Sequence, residues 1–240
     1  MADRAALVTG ASRGIGLALA DALGEAGFGL TLTARKPDTL EQTAQELRQK
    51  GYEVEFQAAN MADEEAIRGV VQLHREKYGR LDVLVNNAGV GIGAAAGEHQ
   101  SKFVDLQLDV NLRAIILFYR ECAELLKAAG GEHHQALVVN MASIAGKSPS
   151  PWLSVYSATK AAVLAYTSAM NKELSPDGIK SVAFCPGFVD TDMTEFVRGT
   201  VAQEDMIKTS DIAEALRFLL RVSPACVVPE IIFQRPGDDV

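Results

Sequence analysis

The stretch Ala5-Ala6-Leu7-Val8-Thr9-Gly10-Ala11-Ser12-Arg13-Gly14-Ile15-Gly16 passes from a continuously apolar run through a glycine-rich loop into helical periodicity. An uninterrupted apolar run suits a parallel strand covered by helices on both faces; a half-exposed strand would alternate. Glycines let the backbone turn sharply and approach an anion, and a helix N-terminus stabilises a pyrophosphate. The spacing is Gly-x-x-x-Gly-x-Gly rather than the Gly-x-Gly-x-x-Gly dinucleotide fingerprint. Gly10, Ser12, Arg13, Gly14, Ile15 and Gly16 are therefore candidate cofactor-binding residues.

The same pattern recurs outward from this stretch. Strands are predicted at 5–9, 29–33, 53–57, 83–86, 136–140, 181–185 and 227–233, and helices at 14–27, 38–50, 63–78, 101–129, 155–174 and 210–220. Seven strands with helical crossovers predict an α/β fold. It is a single doubly wound Rossmann domain over residues 1–240, with a seven-stranded parallel sheet flanked by helices. Ligands of such sheets lie beyond the carboxyl ends of the strands, near the switch in strand order. Functional residues are thus expected just after each strand.

Composition bounds the partners. The 240 residues are 48% apolar and 22% charged, which fits one globular domain and argues against disorder. A net charge of −8 without a Lys/Arg run disfavours nucleic acid, so any bound phosphate needs a local basic pocket. The sequence shows neither a membrane-spanning apolar run nor the pattern of a secretory signal. Cys122, Cys185 and Cys226 are widely spaced and suit a reducing compartment, so a cytoplasmic location is expected.

The second predicted strand ends Thr33-Ala34-Arg35-Lys36, without the carboxylate that usually accepts from the ribose hydroxyls of NAD. Arg35 stands nineteen residues past Gly16, and Arg13 lies inside the glycine loop. Two guanidiniums there suit a 2′-phosphate, so NADPH is expected over NADH. After the fourth strand, Asn86-Asn87-Ala88-Gly89 suits a crowded turn beside a dinucleotide, and a plain Asx turn is the alternative.

Tyr156 and Lys160 stand four apart on one predicted helical face. A phenol titrates near 10, and a neighbouring ammonium favours phenolate. Ser143 follows the fifth strand, where its hydroxyl can donate to a carbonyl oxygen while Tyr156 supplies a proton. No Gly-x-Ser-x-Gly elbow is present, and His74 and His99 fall away from strand ends. His133-His134 reads as a loop without a third ligand, so no metal site is expected.

With these motifs assembled, the chain resembles the short-chain dehydrogenase/reductase family over essentially its whole length, and within it the 3-oxoacyl-carrier-protein reductase-like members. The resemblance rests on the glycine loop, Asn86-Asn87-Ala88-Gly89, Asn111 in Asp109-Val110-Asn111, Ser143, Tyr156-Ser157-Ala158-Thr159-Lys160 and Pro186-Gly187. It implies hydride transfer between a nicotinamide and a carbonyl or alcohol, with Tyr156 as general acid/base and Ser143 as donor to the substrate oxygen; with Arg13 and Arg35, NADPH-dependent carbonyl reduction is expected. Lys160 would hold the nicotinamide ribose and depress the tyrosine pKa, and Asn111 would support a water relaying protons to Lys160. It also implies cofactor contacts at Asn60, Met61, Asn87, Ala88, Gly89, Tyr156, Lys160, Pro186, Gly187, Val189 and Thr191. Asn60 replaces an Asp common among such relatives, and the C-terminus lacks their glycine-rich tail. The segment 192–208 is read as a substrate lid, and Ile144, Trp152, 91–97, Phe188 and Met193 as the lining of a partly apolar pocket. A 3-oxoacyl thioester is the specific substrate guess. Small residues Ala158, Ala161, Ala162, Ala165 and Ala169, with the resemblance, imply a homodimer or homotetramer. Two rivals are an NADP-dependent alcohol dehydrogenase working oxidatively and a non-catalytic NADP sensor on the same fold.

Overall fold

The computed structural model describes residues 2–133 and 135–238. The opening apolar run forms β1 (Ala5–Thr9), all five residues of which are buried. Then follow α1 (Gly14–Glu25), β2 (Gly29–Ala34), α2 (Pro37–Gln49), β3 (Val54–Ala58), α3 (Glu64–Tyr78) and β4 (Val83–Asn86). The second half comprises α4 (Ser101–Leu108), α5 (Ala114–His133), β5 (Ala136–Met141), α6 (Ser154–Leu174), β6 (Ile179–Pro186), α7 (Thr209–Leu219) and β7 (Glu230–Phe233). All seven strands pair in parallel in the order β3-β2-β1-β4-β5-β6-β7, which is the expected architecture. The order reverses between β1 and β4, the point beyond whose strand ends sheets of this kind bind their ligands.

The central strands β1, β4 and β5 are mostly apolar because both faces are covered. Ala6 and Val8 pack with Leu19, Leu40 and Leu216 on one side, while Leu7 packs with Val71, Phe118 and Val163 on the other. Each fully buried Leu or Phe contributes about 1.5–3 kcal/mol of transfer free energy. Local signals set the element ends: the Asp63 carboxylate accepts from the Glu65 and Ala66 N–H groups, and Gly79 ends α3 at φ +67°.

Several boundaries differ from the sequence reading. The helix predicted over 101–129 is two helices joined by a π-helical turn, Asp109–Arg113, with Asn111 inside it. Strand pairing in β7 starts at Glu230, after Pro229, which has no N–H to donate. The expected lid at 192–208 holds two 3-10 helical turns, Asp192–Val197 and Gln203–Asp205. It is pinned by a Val189–Ile207 bridge and by buried Met206. Of the pair read as a loop, His133 ends α5 and His134 lies outside the described residues. Among the described residues, no helix is long and apolar enough to cross a membrane.

Candidate active site

The glycine loop is a backbone contact that side chains would forbid. Gly10 has φ +64°, and a Cβ built on Gly16 would lie 2.2 Å from the Gly10 carbonyl oxygen. Arg13 occupies the N-cap of α1 without a side-chain cap, so the first-turn N–H groups of α1 face the loop with no side-chain acceptor. Thr9 joins this turn to β4: its Oγ1 accepts from the Asn87 and Ala88 N–H groups, both at 3.0 Å, and donates to the Val85 carbonyl at 3.3 Å. Asn87 Nδ2 donates back to the carbonyls of Thr9 and Gly10 at 3.0 and 3.1 Å. Its side chain therefore crosses between strands rather than closing an Asx turn.

Arg35 is exposed at the tip of β2. Arg13 is turned instead onto Asp192, at 2.5 Å, with both side chains exposed. The carboxylate after β6 thus holds one of the two guanidiniums expected from the sequence. Thr191 stands against the loop, its Cγ2 being 3.2 Å from a Cβ built on Gly14. Ser12 offers its carbonyl to the Thr43 hydroxyl at 3.2 Å, and Ile15 packs against the core. Asn60 is exposed and accepts from the Ala62 N–H at 3.2 Å, while Met61 and Val189 are buried. Pro186 ends β6, and the Gly187 N–H donates to the Phe233 carbonyl at 2.9 Å.

Beyond β5 the remaining groups converge. Lys160 Nζ is buried 5.6 Å from the Tyr156 ring centroid and donates to the Met141 carbonyl at 2.6 Å. Ser143 is buried; its Oγ accepts from the Ala145 N–H at 3.2 Å and donates to the Pro186 carbonyl at 3.4 Å. Burial pushes the half-buried Tyr156 phenol above its ordinary value, and the Ser143 hydroxyl opposes that rise. Burial also pulls Lys160 down to about 8. The sequence reading expected the ammonium to depress the phenol; in the structure the net direction is upward, because desolvation outweighs the Ser143 hydrogen bond.

Asn111 is fully buried and clamps Val90. Its Oδ1 accepts from the Val90 N–H at 2.8 Å, and its Nδ2 donates to the Val90 carbonyl at 2.8 Å and to Thr159 Oγ1 at 3.1 Å. Gly89 lies between the two polar groups: a Cβ built on it would sit 3.4 Å from Asn111 Oδ1 and 3.5 Å from Lys160 Nζ. The π-helical turn around Asn111 widens the helix where this clamp forms.

The sequence reading missed four participants. Thr9 and Thr159 lie inside motifs already quoted, and only their hydrogen bonds give them roles. Gln107, one turn before Asn111, accepts from the Ile92 N–H at 3.1 Å through a buried amide. Its i, i+4 spacing from Asn111 was the available signal. The Met141 carbonyl that receives Lys160 has no sequence signature at all.

The family model described as short chain dehydrogenase matches residues 4–202. The "Monensin polyketide synthase putative ketoacyl reductase" of Streptomyces virginiae is 38% identical over 196 residues, covering 82% of this chain and 74% of the relative. The "Granaticin polyketide synthase putative ketoacyl reductase 1" of Streptomyces violaceoruber is 41% identical over 197 residues, covering 80% and 70%. Among solved structures, an alcohol dehydrogenase of Thermococcus sibiricus complexed with 5-hydroxy-NADP superposes with TM-score 0.87 at 31% identity, covering 98% of this chain and 99% of the other. A variant of actinorhodin polyketide ketoreductase with NADPH does so with TM-score 0.87 at 32% identity, covering 97% of each.

Proposed function

The chain belongs to the short chain dehydrogenase family, and from that premise we propose that it is an NADPH-dependent ketone reductase in which Tyr156 donates the proton. The observation that carries this reading is the convergence of Tyr156, Ser143, Lys160 and Asn111 beyond β4 and β5, beside a glycine loop shaped for a pyrophosphate.

The dinucleotide fits what the residues present. The loop at Gly10, Ser12, Gly14, Ile15 and Gly16 and the N-terminus of α1 suit its pyrophosphate, and Arg35 with Arg13 suits a 2′-phosphate. Asn87, Ala88 and Gly89 border the same site, as do Pro186, Gly187, Val189 and Thr191, with Asn60 and Met61 assigned to the adenine side. When bound, the cofactor supplies the hydride.

The chain's own residues handle the oxygen and the proton. Ser143 Oγ–H donates to the substrate carbonyl, which polarises it. The raised pKa of Tyr156 keeps the phenol protonated at neutral pH and ready to act as an acid. Lys160, still charged at pH 7, stabilises the phenolate that remains and holds the nicotinamide ribose. Asn111 commits both amide protons to protein acceptors, which leaves one lone pair on Oδ1 for a water reconnecting Lys160 to solvent.

Two relatives are named as ketoacyl reductases, which supports a 3-oxoacyl thioester or a related ketone as substrate. We place the protein in the cytoplasm, where its free cysteines stay reduced. Ala158, Ala161, Ala165 and Ala169 face outward on α6 rather than into the sheet, which supports a homodimer or homotetramer packed along that helix.

A screen of NADPH consumption over 3-oxoacyl thioesters, diketones, quinones and aldehydes tests the reading. A ketone should be reduced faster with NADPH than with NADH, and Ser143→Ala should lower kcat about tenfold or more. NADPH binding without consumption by any carbonyl would favour a sensor instead.

A further inference from the structure

We propose that Trp152 is a fixed aromatic wall of the substrate site and selects ketones whose carbonyl is attached to a planar ring; this rests on the reductase reading above. Ser150-Pro151-Trp152-Leu153 is a closed turn, the Leu153 N–H donating to the Ser150 carbonyl at 3.3 Å. Proline in its second position and a positive φ in its third make the type II arrangement, whose third position ordinarily goes to glycine. Here that position is Trp152, at φ +70°, the one non-glycine residue with positive φ among the described residues. A bulky residue in this region is an outlier, and such outliers persist where their surroundings over-determine them.

The surroundings are a strip of backbone, 90–94, that starts at the catalytic centre. Asn111 holds Val90, Gln107 holds Ile92, and the Ala94 N–H donates to the Trp152 carbonyl at 2.9 Å. The glycines between these anchors meet the two aromatic rings. A Cβ on Gly91 would lie 3.6 Å from Cδ2 and Cε2 of Tyr156, and one on Gly93 would lie 2.3 Å from Cδ2 and Cε3 of Trp152. Glycine at 93 thus lets the strip lie flat on the indole. From Gly91 to Gly93 the strip runs from the Tyr156 ring to the Trp152 ring and forms one wall.

With that contact made, Trp152 is still 56% exposed. A turn that glycine would serve better, carrying a rigid indole backed by the strip on one side, presents a flat π-surface at the end of the strip that begins at the Tyr156 ring. Such a surface favours an offset-stacked aromatic partner over an aliphatic one of equal size.

Trp152 is the single tryptophan of the chain, so its fluorescence reports the site directly. Acetophenone and cyclohexyl methyl ketone differ in the aromaticity of the ring at similar size. With NADP⁺ bound, acetophenone should quench Trp152 saturably. With NADPH, its kcat/KM should exceed that of cyclohexyl methyl ketone by about two- to tenfold. Trp152→Gly, which suits the turn, should remain folded and bring the two ketones level. Absence of saturable quenching, or a preference unchanged in Trp152→Gly, overturns the proposal. Saturable quenching without turnover of either ketone supports the wall and counts against the reductase reading instead.

Discussion

Lys160 sits at 3% exposure with its ammonium hydrogen-bonded to the Met141 carbonyl and its pKa pulled down to about 8. At pH 7 it is charged, so the fold bears its desolvation. The sign follows from the direction of the shift. The unfolded chain binds this proton more tightly, so the cost is fully present below about pH 8 and fades as pH rises toward the ordinary 10.5. Lys160→Met removes the charge at similar length. It should stabilise the protein by about 2–3 kcal/mol at pH 7 in a denaturant titration, while kcat/KM falls at least about a hundredfold. A lower Tm would contradict this account of the lysine. Arg35 is tested by cofactor binding. Arg35→Ser should weaken NADPH about tenfold or more and leave NADH nearly unchanged, as read by fluorescence titration. Arg13→Ala should weaken NADPH less, because Asp192 already competes for that guanidinium.

At the scale of elements, the π-helical turn Asp109–Arg113 and the helix before it carry two amides that hold the substrate-side strip. Gln107→Leu would leave the Ile92 N–H without its acceptor. KM for the ketone should rise about fivefold or more, with kcat and the NADPH dissociation constant little changed. Gln107→Glu keeps an acceptor for Ile92 and should restore KM; a fall in kcat with unchanged KM would place Gln107 outside this role. The central parallel strands were legible because burial on both faces favours an unbroken apolar run, as in Ala5-Ala6-Leu7-Val8. The π-helical turn was not, because it is defined by a changed hydrogen-bond partner that Val110-Asn111-Leu112 does not announce. Trp152 was read as pocket lining, yet its positive φ depends on the strip packed over it. Ser143 was legible by its place after a strand, and Tyr156 with Lys160 by their spacing on one helical face, whereas the direction of the tyrosine shift depends on burial that no local spacing reveals.

Across the whole molecule, one sheet separates two apolar layers, and a few polar groups are buried between them. His74 is fully buried, with Nδ1 2.8 Å from Thr31 Oγ1 and Nε2 2.8 Å from the Arg80 carbonyl. A carbonyl only accepts, so Nε2 carries the proton and Nδ1 accepts from the threonine. Burial lowers this imidazole to about 4. The unfolded chain therefore binds the extra proton first. Stability from His74 is complete above about pH 6.5 and is lost as pH falls toward about 4, by up to about 3 kcal/mol. Urea unfolding across that window should show the slope, and His74→Gln should flatten it. The central claim is narrower: this fold brings a phenolic acid to a carbonyl beside bound NADPH. Single-turnover reduction by Tyr156→Phe, measured alongside NADPH binding, tests it most directly. The account predicts an unchanged NADPH dissociation constant with reduction slowed at least about a thousandfold; reduction at the wild-type rate would contradict it.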